Sequence, residues 1–350
     1  MSAAIPMREA RSVAVPALRR PRLGFLGVGW IGLDRLQAIH ATGLADIAAL
    51  ADANPEMVAR AAEAAPGAER AETLDALLRH DLDGVVIATP SALHAEQCLA
   101  ALAAGVAVFC QKPLGRTGEE TRAVVAAARR ADRLLGVDFS YRFTEGMAAL
   151  RREVAGGGLG RIHAIDFTFH NAYGPDKPWF HDPALAGGGA MMDLGIHLID
   201  LALWLLDFPR VERVEAHLSA GGEPLADPDR QVEDHAVATL TLAGGTVVRL
   251  AASWWLHAGQ DAVIAAEVYG TAGGAAFRNV GGSFYDFTAE RFERTARRTL
   301  TAPPPGGREP WGGRAAAAWV RRLAAGERFA PEAEELVAVA DVLDRLYWRG

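Results

Sequence analysis

A short apolar segment that breaks into three closely spaced glycines most constrains the fold of this chain. The stretch RLGFLGVGWIG predicts a buried strand, a tight turn at Gly27, Gly29 and Gly32, and then a helix. These glycines permit the turn, let a pyrophosphate approach the backbone, and allow close packing of helix on strand. The helix start adds unpaired N–H groups and a positive dipole, so Trp30 and Ile31 join the glycines as cofactor-binding candidates.

The end of the next predicted strand carries an acidic residue. ADIAALAD ends at Asp52, 20 residues beyond Gly32. A carboxylate there can accept hydrogen bonds from both ribose hydroxyls of an adenosine and would repel a 2′-phosphate. No arginine follows in DANPE, so we predict NAD as the cofactor in preference to NADP. An alternative is that Asp52 only caps a helix beginning near Pro55.

Strand-like and helix-like segments keep alternating up to residue 143. DGVVIATP and VAVFC predict strands, and SALHAEQCLAALAAG predicts a helix with Ser91 as its N-cap. This alternation indicates an α/β Rossmann domain over residues 21–143, with a parallel sheet and ligands at the carboxyl ends of its strands. Further cofactor-binding candidates at these ends are Thr89, Pro90, Ser91, His94, Gln111 and Lys112.

Lys112 follows an apolar strand by one residue. An isolated lysine is most often a surface residue. This strand, however, leads to the predicted nicotinamide end of the cofactor, so we interpret Lys112 as a residue of the site.

The pattern changes at about residue 144. A predicted helix, TEGMAALRREVAGG, is followed by longer strand-like segments, many of them joined by glycine pairs as in hairpins. This predicts an α+β domain with a mainly antiparallel sheet over residues 144–330, closed by a C-terminal helix at 331–350. Residues 1–20 are predicted to be a flexible tail.

One predicted helix is apolar nearly all the way round but carries three polar residues. In GGGAMMDLGIHLIDLALWLLD, Asp193, His197 and Asp200 follow one another at steps of four and three, which places them on one helical face. A polar stripe on an enclosed helix needs partners or a wet cavity, and we predict a cavity shared with Lys112. A buried Asp–His network that only ties the domains together stays open. A metal site lacks a third ligand at a recognisable spacing, so no metal is predicted.

The composition and net charge of the chain limit the classes of molecule that it is expected to bind. The chain has 350 residues, a formal net charge of −7 and two cysteines. The negative charge argues against nucleic acid and anionic membranes as partners, and the few cysteines favour the cytoplasm. No convincing membrane span is predicted, because the most apolar helix carries ionisable residues. A small molecule is therefore the expected partner.

Taken in order, these segments resemble the Gfo/Idh/MocA family of NAD(P)-dependent oxidoreductases from about residue 22 onward. The resemblance implies an N-terminal Rossmann domain and a C-terminal domain with a large open sheet often used for oligomerisation, here as a homodimer or homotetramer. It assigns the catalytic positions to Lys112, Asp193 and His197. The segments that carry it are GFLGVGWIG, ALADANPE, VVIATPSALHAEQCLAALAAGVAVFCQKPL, GGGAMMDLGIHLIDLALWLL and EELVAVADVLDRLYW.

One position departs from the family pattern. The family usually has Glu-Lys-Pro, whereas this chain has Gln111, Lys112 and Pro113. The change removes a negative charge near Lys112, so we expect a less favoured ammonium form and an altered affinity for the cofactor.

The expected reaction is hydride transfer between NAD(H) and a secondary alcohol or ketone of a sugar, cyclitol or related polyol. His197 is expected to act as general base while Asp193 and Lys112 hold the hydroxyl. NAD-dependent cleavage of a glycoside without net NADH and a non-catalytic NAD- or sugar-binding regulator stay open as alternatives. Further substrate-binding candidates, which could equally be loop packing, are Tyr141, Arg142, Tyr173, Asp176, Trp179 and His181.

Overall fold

The structure is a computed structural model that describes residues 20–305 and 309–349. It contains two sheets, one of six strands and one of nine. The tail predicted over residues 1–20 lies outside the described residues except for its last position.

All strands of the first sheet are parallel. The predicted Rossmann architecture is confirmed, because the strand order is 3-2-1-4-5-6 in chain numbering. The strands are β1 (Arg22–Leu26), β2 (Asp46–Ala51), β3 (Glu69–Ala71), β4 (Gly84–Ile87), β5 (Ala107–Cys110) and β6 (Leu135–Val137). The helices between them are α1 (Trp30–Thr42), α2 (Pro55–Ala64), α3 (Leu74–Leu78), α4 (Ser91–Ala103) and α5 (Gly118–Ala131). The short β3 and α3 were missed from the sequence.

The start of α4 corrects one prediction. Ser91 is the first residue of the helix rather than its N-cap, and it is buried. Pro90 holds the cap position in an extended conformation, with φ −59° and ψ 147°, and no side chain caps the helix. The fixed φ of proline sets the chain direction here without a capping side chain.

The second sheet pairs antiparallel throughout except where β7 and β11 run parallel. The predicted large, mainly antiparallel sheet is therefore confirmed. Its strands are β7 (Ile162–Asn171), β8 (Val211–Ala220), β9 (Glu223–Pro224), β10 (His235–Leu242), β11 (Val247–Ser253), β12 (Ala262–Gly270), β13 (Gly274–Asn279), β14 (Phe287–Glu293) and β15 (Ala296–Thr301). Five of these strands correspond to strand-like segments of the sequence, namely RIHAIDFTFHN (β7), VERVEAHLS (β8), HAVATLTL (β10), TVVRLAASWW (β11) and AVIAAEVYG (β12). The sequence did not predict β9 or the last three strands.

Helices cover one face of this sheet. The remaining α-helices are α6 (Glu145–Ala155), α7 (Pro183–Ala186), α8 (Ile196–Leu205), α9 (Arg314–Ala324) and α10 (Glu335–Leu346). Along β7, Ile165, Phe167 and Phe169 point into the core that α6, α8 and α10 close. The opposite face is open and exposes Val237 and Tyr269.

Helix α9 corrects the predicted domain division. It was assigned to the second domain, but Trp319 and Val320 pack with Leu23 and Phe25 of the first sheet. Helical periodicity shows that a helix has an apolar face but does not show which sheet that face covers.

The apolar core helix lies where the two domains meet. Residues 183–205 form a segment that is long and apolar enough to cross a membrane, but most of its residues are buried inside the protein. The sequence predicted one regular helix here. The structure instead has a π-helical turn at Met191–Gly195 before α8, so Asp193 and His197 are not separated by four regular α-helical steps.

Candidate active site

The turn between β1 and α1 has the geometry of an anion cradle. Gly27 has φ +84°, and a Cβ there would lie 2.5 Å from the carbonyl oxygen of Ala88. A Cβ on Gly32 would lie 2.0 Å from the carbonyl oxygen of Gly27, whereas one on Gly29 would meet nothing within 4 Å. Helix α1 begins at Trp30 without a side-chain cap. Its first N–H groups are therefore open to a bound anion.

Asp52 closes this turn from the end of β2. Its Oδ2 accepts the Val28 N–H at 2.7 Å, and its Oδ1 accepts the Asn54 N–H at 2.8 Å. The N-cap of α2 is Asn54, whose side chain accepts the Glu56 N–H at 2.9 Å. The alternative that Asp52 caps this helix is therefore wrong.

The candidates after β4 bind one another rather than lining a cavity. The two ring nitrogens of His94 lie 2.7 Å from the carbonyl oxygens of Pro113 and Thr89. The Thr89 hydroxyl donates to Gln97 at 2.6 Å. Burial lowers the pKa of His94, whereas the two carbonyl contacts raise it, because both oxygens are acceptors and a neutral ring can donate to only one of them. His94 thus joins the segments that follow β4 and β5, and neither it, Thr89, Pro90 nor Ser91 lines the cavity described below.

Lys112 crosses from the first domain to the core helix of the second. Its Nζ donates to Asp193 Oδ1 at 2.7 Å and to the Asp193 carbonyl oxygen at 2.6 Å. The Nε1 of Trp254, at the end of β11, donates to Asp193 Oδ2 at 3.2 Å. Both carboxylate oxygens of Asp193 are therefore occupied, and Lys112 keeps one of its three N–H donors for another partner.

His197 lies in the first turn of α8 and is almost fully buried. Its ring centroid is 5.0 Å from that of Tyr141 and 6.3 Å from that of Phe139. Burial holds its pKa well below 6.5, and the positive charges of Lys112 and Arg35 lower it further. His197 is consequently neutral at neutral pH and can accept a proton. Among the described residues its Nδ1 has no hydrogen-bond partner.

A cavity of about 710 Å³ lies between the two domains. It brings together six of the candidates that the sequence singled out. These are Trp30, Ile31, Gln111, Lys112, Tyr141 and His197. In the parts of the chain that the structure describes, no group of three or more His, Cys, Asp or Glu side chains is placed to hold a metal ion.

Arg142 pairs with Asp200 and does not line the inter-domain cavity. It forms a buried two-point ion pair with Asp200, with Nη2–Oδ1 at 2.5 Å and Nε–Oδ2 at 2.9 Å. Its guanidinium also lies 5.3 Å from the ring centroid of Phe208, and it does not line the cavity. The pairing explains Asp200 as well: the third member of the predicted polar stripe is bound to an arginine. The spacing of polar residues in a sequence cannot show whether a buried carboxylate faces a charged partner or a cavity.

The aromatic loop candidates approach the site only through Trp254. The rings of His181 and Trp254 meet edge to face with centroids 6.0 Å apart, and Trp179 stacks on Phe180 at 3.8 Å. Tyr173 is exposed and donates to Asp261 at 2.7 Å. Asp176 is exposed beside Lys177.

Four residues near the site were missed from the sequence. Asp138 directly follows β6 and Trp254 directly follows β11, and a position at the end of a strand-like segment is a signal that could have found them. Arg35, on α1, and Glu233, in a loop, carry no such signal. The Nε of Arg35 donates to Asp138 at 2.6 Å, and the side-chain amide of Gln111 donates to the same carboxylate.

This arrangement corrects the expected loss of negative charge near Lys112. The carboxylate of Asp193 accepts a hydrogen bond from Lys112 itself, and the carboxylate of Asp138 accepts one from the Gln111 side chain. The sequence could not show this because β6, which Asp138 follows, becomes a neighbour of β5 only in the folded sheet.

Glu233 fixes the start of the core helix. Its carboxylate accepts the N–H groups of Gly189 at 3.0 Å and Met191 at 2.7 Å, and the hydroxyl of Tyr347 at 2.7 Å. Its carbonyl oxygen accepts the Ala190 N–H at 3.0 Å. These contacts occupy the N–H groups that a helix start leaves unpaired, and so they hold the turn that carries Asp193.

Replacing Glu233 by alanine should destabilise the fold by roughly 2–4 kcal/mol, because two buried N–H groups and a hydroxyl lose their acceptor. Urea denaturation of the purified variant measures this. Glu332→Ala, a change at an exposed carboxylate, is the control and should stay within about 0.5 kcal/mol of wild type. Equal stability of the Glu233 variant and wild type would contradict the role of Glu233.

Two family models match the chain. Residues 21–139 match the model described as "Oxidoreductase family, NAD-binding Rossmann fold", and residues 147–276 match "GFO/IDH/MocA C-terminal domain". Together the two matches cover both sheets except the last strands of the second.

Named relatives are similar over much of the chain. Levoglucosan dehydrogenase from Pseudarthrobacter phenanthrenivorans is 32% identical over 65% of this chain, and the match spans 64% of that enzyme, just under two thirds of its length. The 1,5-anhydro-D-fructose reductase of Ensifer adhaerens is 30% identical over 74% of this chain and 76% of its own. A solved levoglucosan dehydrogenase, in complex with NADH and levoglucosan, superposes with a TM-score of 0.81 and 26% identity, covering 95% of this chain and 98% of that one.

Proposed function

This chain belongs to the Gfo/Idh/MocA family of oxidoreductases, and from that premise we propose that it transfers hydride between NAD(H) and a secondary alcohol or ketone of a sugar, cyclitol or related polyol. The observation that carries the proposal is the contact between Lys112 Nζ and Asp193 Oδ1 at 2.7 Å, in the same inter-domain site as the buried, neutral His197. In this site Lys112 would supply a hydrogen-bond donor, and His197 a proton acceptor, for one substrate hydroxyl.

The β1–α1 turn fits a dinucleotide. The N–H groups at Gly29, Trp30 and Ile31 would hold the pyrophosphate, since the bare face of Gly29 leaves open space beside them. Asp52 would accept the hydroxyls of the adenosine ribose, and its charge favours NAD over NADP. NAD, when bound, supplies the nicotinamide carbon that takes up or returns the hydride.

Lys112 stabilises the oxygen of the reacting carbon. Two of its N–H donors are fixed by Asp193, so the third has a defined direction into the site. As the hydroxyl loses its proton, negative charge develops on the oxygen, and an ammonium group already held in place stabilises that charge without reorganising. Asp193 therefore acts mainly by orienting Lys112.

His197 takes the hydroxyl proton in the oxidation direction. Because its pKa is lowered well below 6.5, the ring is in its basic form throughout the neutral range. The same low pKa makes the protonated ring a strong acid, which suits the delivery of a proton to a ketone in the reverse direction.

Aromatic side chains are proposed to recognise the rest of the polyol. Tyr141 lines the cavity, and its ring centroid is 4.7 Å from that of Trp311. His181 and Phe180 meet Trp254 edge to face, and Trp179 stacks on Phe180. Such rings can stack on the apolar face of a sugar while polar atoms select its hydroxyls.

We propose that the enzyme is cytoplasmic and forms a homodimer or homotetramer through the open face of the nine-stranded sheet. Val237, Val247 and Tyr269 are exposed on that face. An open sheet face with apolar side chains favours pairing with a second copy.

The function is tested by mixing the purified protein with NAD and, in separate reactions, with sugars, anhydrosugars and cyclitols. Growth of the reduced-nicotinamide absorbance band with one class supports the proposal and identifies that class. Product release without net NADH would favour glycoside cleavage instead. Tight NAD binding with no product from any class would favour a regulator.

Replacing Asp52 by asparagine should weaken NAD binding by about tenfold and raise the relative affinity for NADP, because the carboxylate that binds the ribose and repels a 2′-phosphate is lost. The amide oxygen can still accept the Val28 N–H, so the turn should persist. Calorimetric titration with both dinucleotides measures the ratio, with Glu56→Gln at the exposed start of α2 as control. An unchanged NAD-to-NADP ratio would place the adenosine elsewhere.

A further inference from the structure

A buried carboxylate, that of Asp138, lies in the wall of the cavity. Asp138 directly follows β6, its side chain is 0% exposed, and it lines the same cavity as Gln111, Lys112 and His197. Its Oδ2 accepts Arg35 Nε at 2.6 Å and also the Gln111 side-chain amide. Its backbone N–H donates to the Cys110 carbonyl oxygen at 3.0 Å. Asp138 is therefore bound to both residues that precede Lys112.

The pair of Arg35 and Asp138 is costly to bury. The Arg35 side chain is only 8% exposed, and in the described part of the chain Asp138 Oδ1 has no hydrogen-bond partner. A buried ion pair of this kind is often no more stable than apolar residues of the same size. Its position in the wall of the cavity argues for a role in the site.

The charges around His197 show what that role would be. Lys112 and Arg35 are both cations near the ring, and both oppose its protonation. Asp193 offsets Lys112, and Asp138 offsets Arg35. Without Asp138, the one carboxylate left to the buried guanidinium among the described residues would be Asp34, whose Oδ1 lies at 2.6 Å and whose side chain is half exposed.

We propose that Asp138 is a positioning residue that supplies, through Gln111 and Arg35, the carboxylate charge that the residue before Lys112 lacks in this chain. In the Glu-Lys-Pro pattern the charge precedes the lysine in the chain. Here the amide of Gln111 stands in that place, and the charge lies one strand away at the end of β6. The proposal rests on the proposed function for the roles of Lys112 and His197.

Several other groups face His197, and the charge balance includes them. Asp193 lies on the preceding turn, Tyr141 lies against the ring, and apolar side chains of β7 and β12 pack below it. The remaining charged or titratable residues of the cavity wall are Asp34, Glu309, Tyr285, Arg314 and Arg321. The variants described below leave all of these residues unchanged, apart from Asp34, which is substituted in the control variant.

A charge exchange tests the proposal. Asp138→Asn removes the charge but keeps an oxygen for Arg35 and Gln111, and no donor competes for the Oδ1 position that its NH₂ would take. Gln111→Glu instead places two carboxylates together. Each single change should lower kcat/KM for polyol oxidation by about tenfold, and the double variant, which only exchanges acid and amide, should recover to within about threefold of wild type.

A second readout does not depend on turnover. The ring signals of His197 are followed by NMR in the cofactor-free protein, assigned by their loss in His197→Ala, at the lowest pH at which all variants stay folded. The protonated fraction should be smallest in Asp138→Asn, largest in Gln111→Glu and close to wild type in the double variant. Asp34→Asn, which removes a half-exposed carboxylate from the same arginine, should change it little.

Two results would overturn the proposal and leave Asp138 with a structural role. One is a double variant whose loss in kcat/KM is the product of the two single losses. The other is a protonated fraction of His197 that is the same in all variants as in wild type. If wild type oxidises no polyol, the proposed function fails, but the NMR order still decides the role of Asp138. The two failures are thereby distinguishable.

Discussion

Replacing His197 by alanine is expected to lower kcat for polyol oxidation by about 10²–10⁴-fold, which is the usual worth of a positioned general base. Affinity for NAD should stay close to that of wild type, because His197 lies on α8 in the second domain whereas the dinucleotide turn lies between β1 and α1. Steady-state kinetics together with calorimetric NAD binding separate the two effects.

Two further variants make the result specific. Removing a buried ring leaves a cavity that costs roughly 2–4 kcal/mol of stability, so His197→Gln, which fills more of the space, is measured alongside. His40→Ala, at an exposed histidine of α1, is the control and should keep full activity. Unchanged turnover in both His197 variants would remove His197 as the base.

The second large effect concerns two glycines of the same turn, which should fail in different ways. A Cβ on Gly32 would lie 2.0 Å from the Gly27 carbonyl oxygen, so Gly32→Ala must displace backbone and should lose both stability and NAD binding. A Cβ on Gly29 meets nothing within 4 Å. Gly29→Ala should therefore fold normally yet bind NAD roughly 10- to 100-fold more weakly, since the methyl group would occupy the space of the pyrophosphate.

Thermal unfolding and NAD titration of the two variants measure this separation. Gly67→Ala is the matched control, because Gly67 is exposed and a Cβ there also meets nothing within 4 Å. It should change neither quantity. Wild-type NAD affinity in Gly29→Ala would show that the pyrophosphate does not bind at this turn.

The sequence predicted those features that depend on residues near one another in the chain. The glycine turn, the alternation of β4, α4 and β5, and the apolar core helix are all local patterns, and each has its counterpart in the structure. The last strand of the second sheet was missed, since its segment ARRTLT is polar and exposed and carries little hydrophobic alternation.

Pairings between distant segments could not be predicted. Arg142 was a substrate-binding candidate from its position after a predicted strand, but in the structure it pairs with Asp200, which is 58 residues away in the chain. Asp138 was passed over because its partners, Arg35 and Gln111, come from two other elements. The side of a sheet that α9 covers is likewise decided by packing. Sequence patterns indicate which residues are unusual, but the partner that satisfies each one is a property of the fold.

In the proposed net reaction, a carbon of a polyol exchanges hydride with NAD. The most direct measurement uses a polyol of the class found active, deuterated at its carbinol carbon, with mass spectrometry of both products. One deuterium in each reduced nicotinamide formed, matched by one molecule of ketone, is the predicted result. A product that forms without reduced nicotinamide, or with the deuterium still on its own carbon, would contradict it.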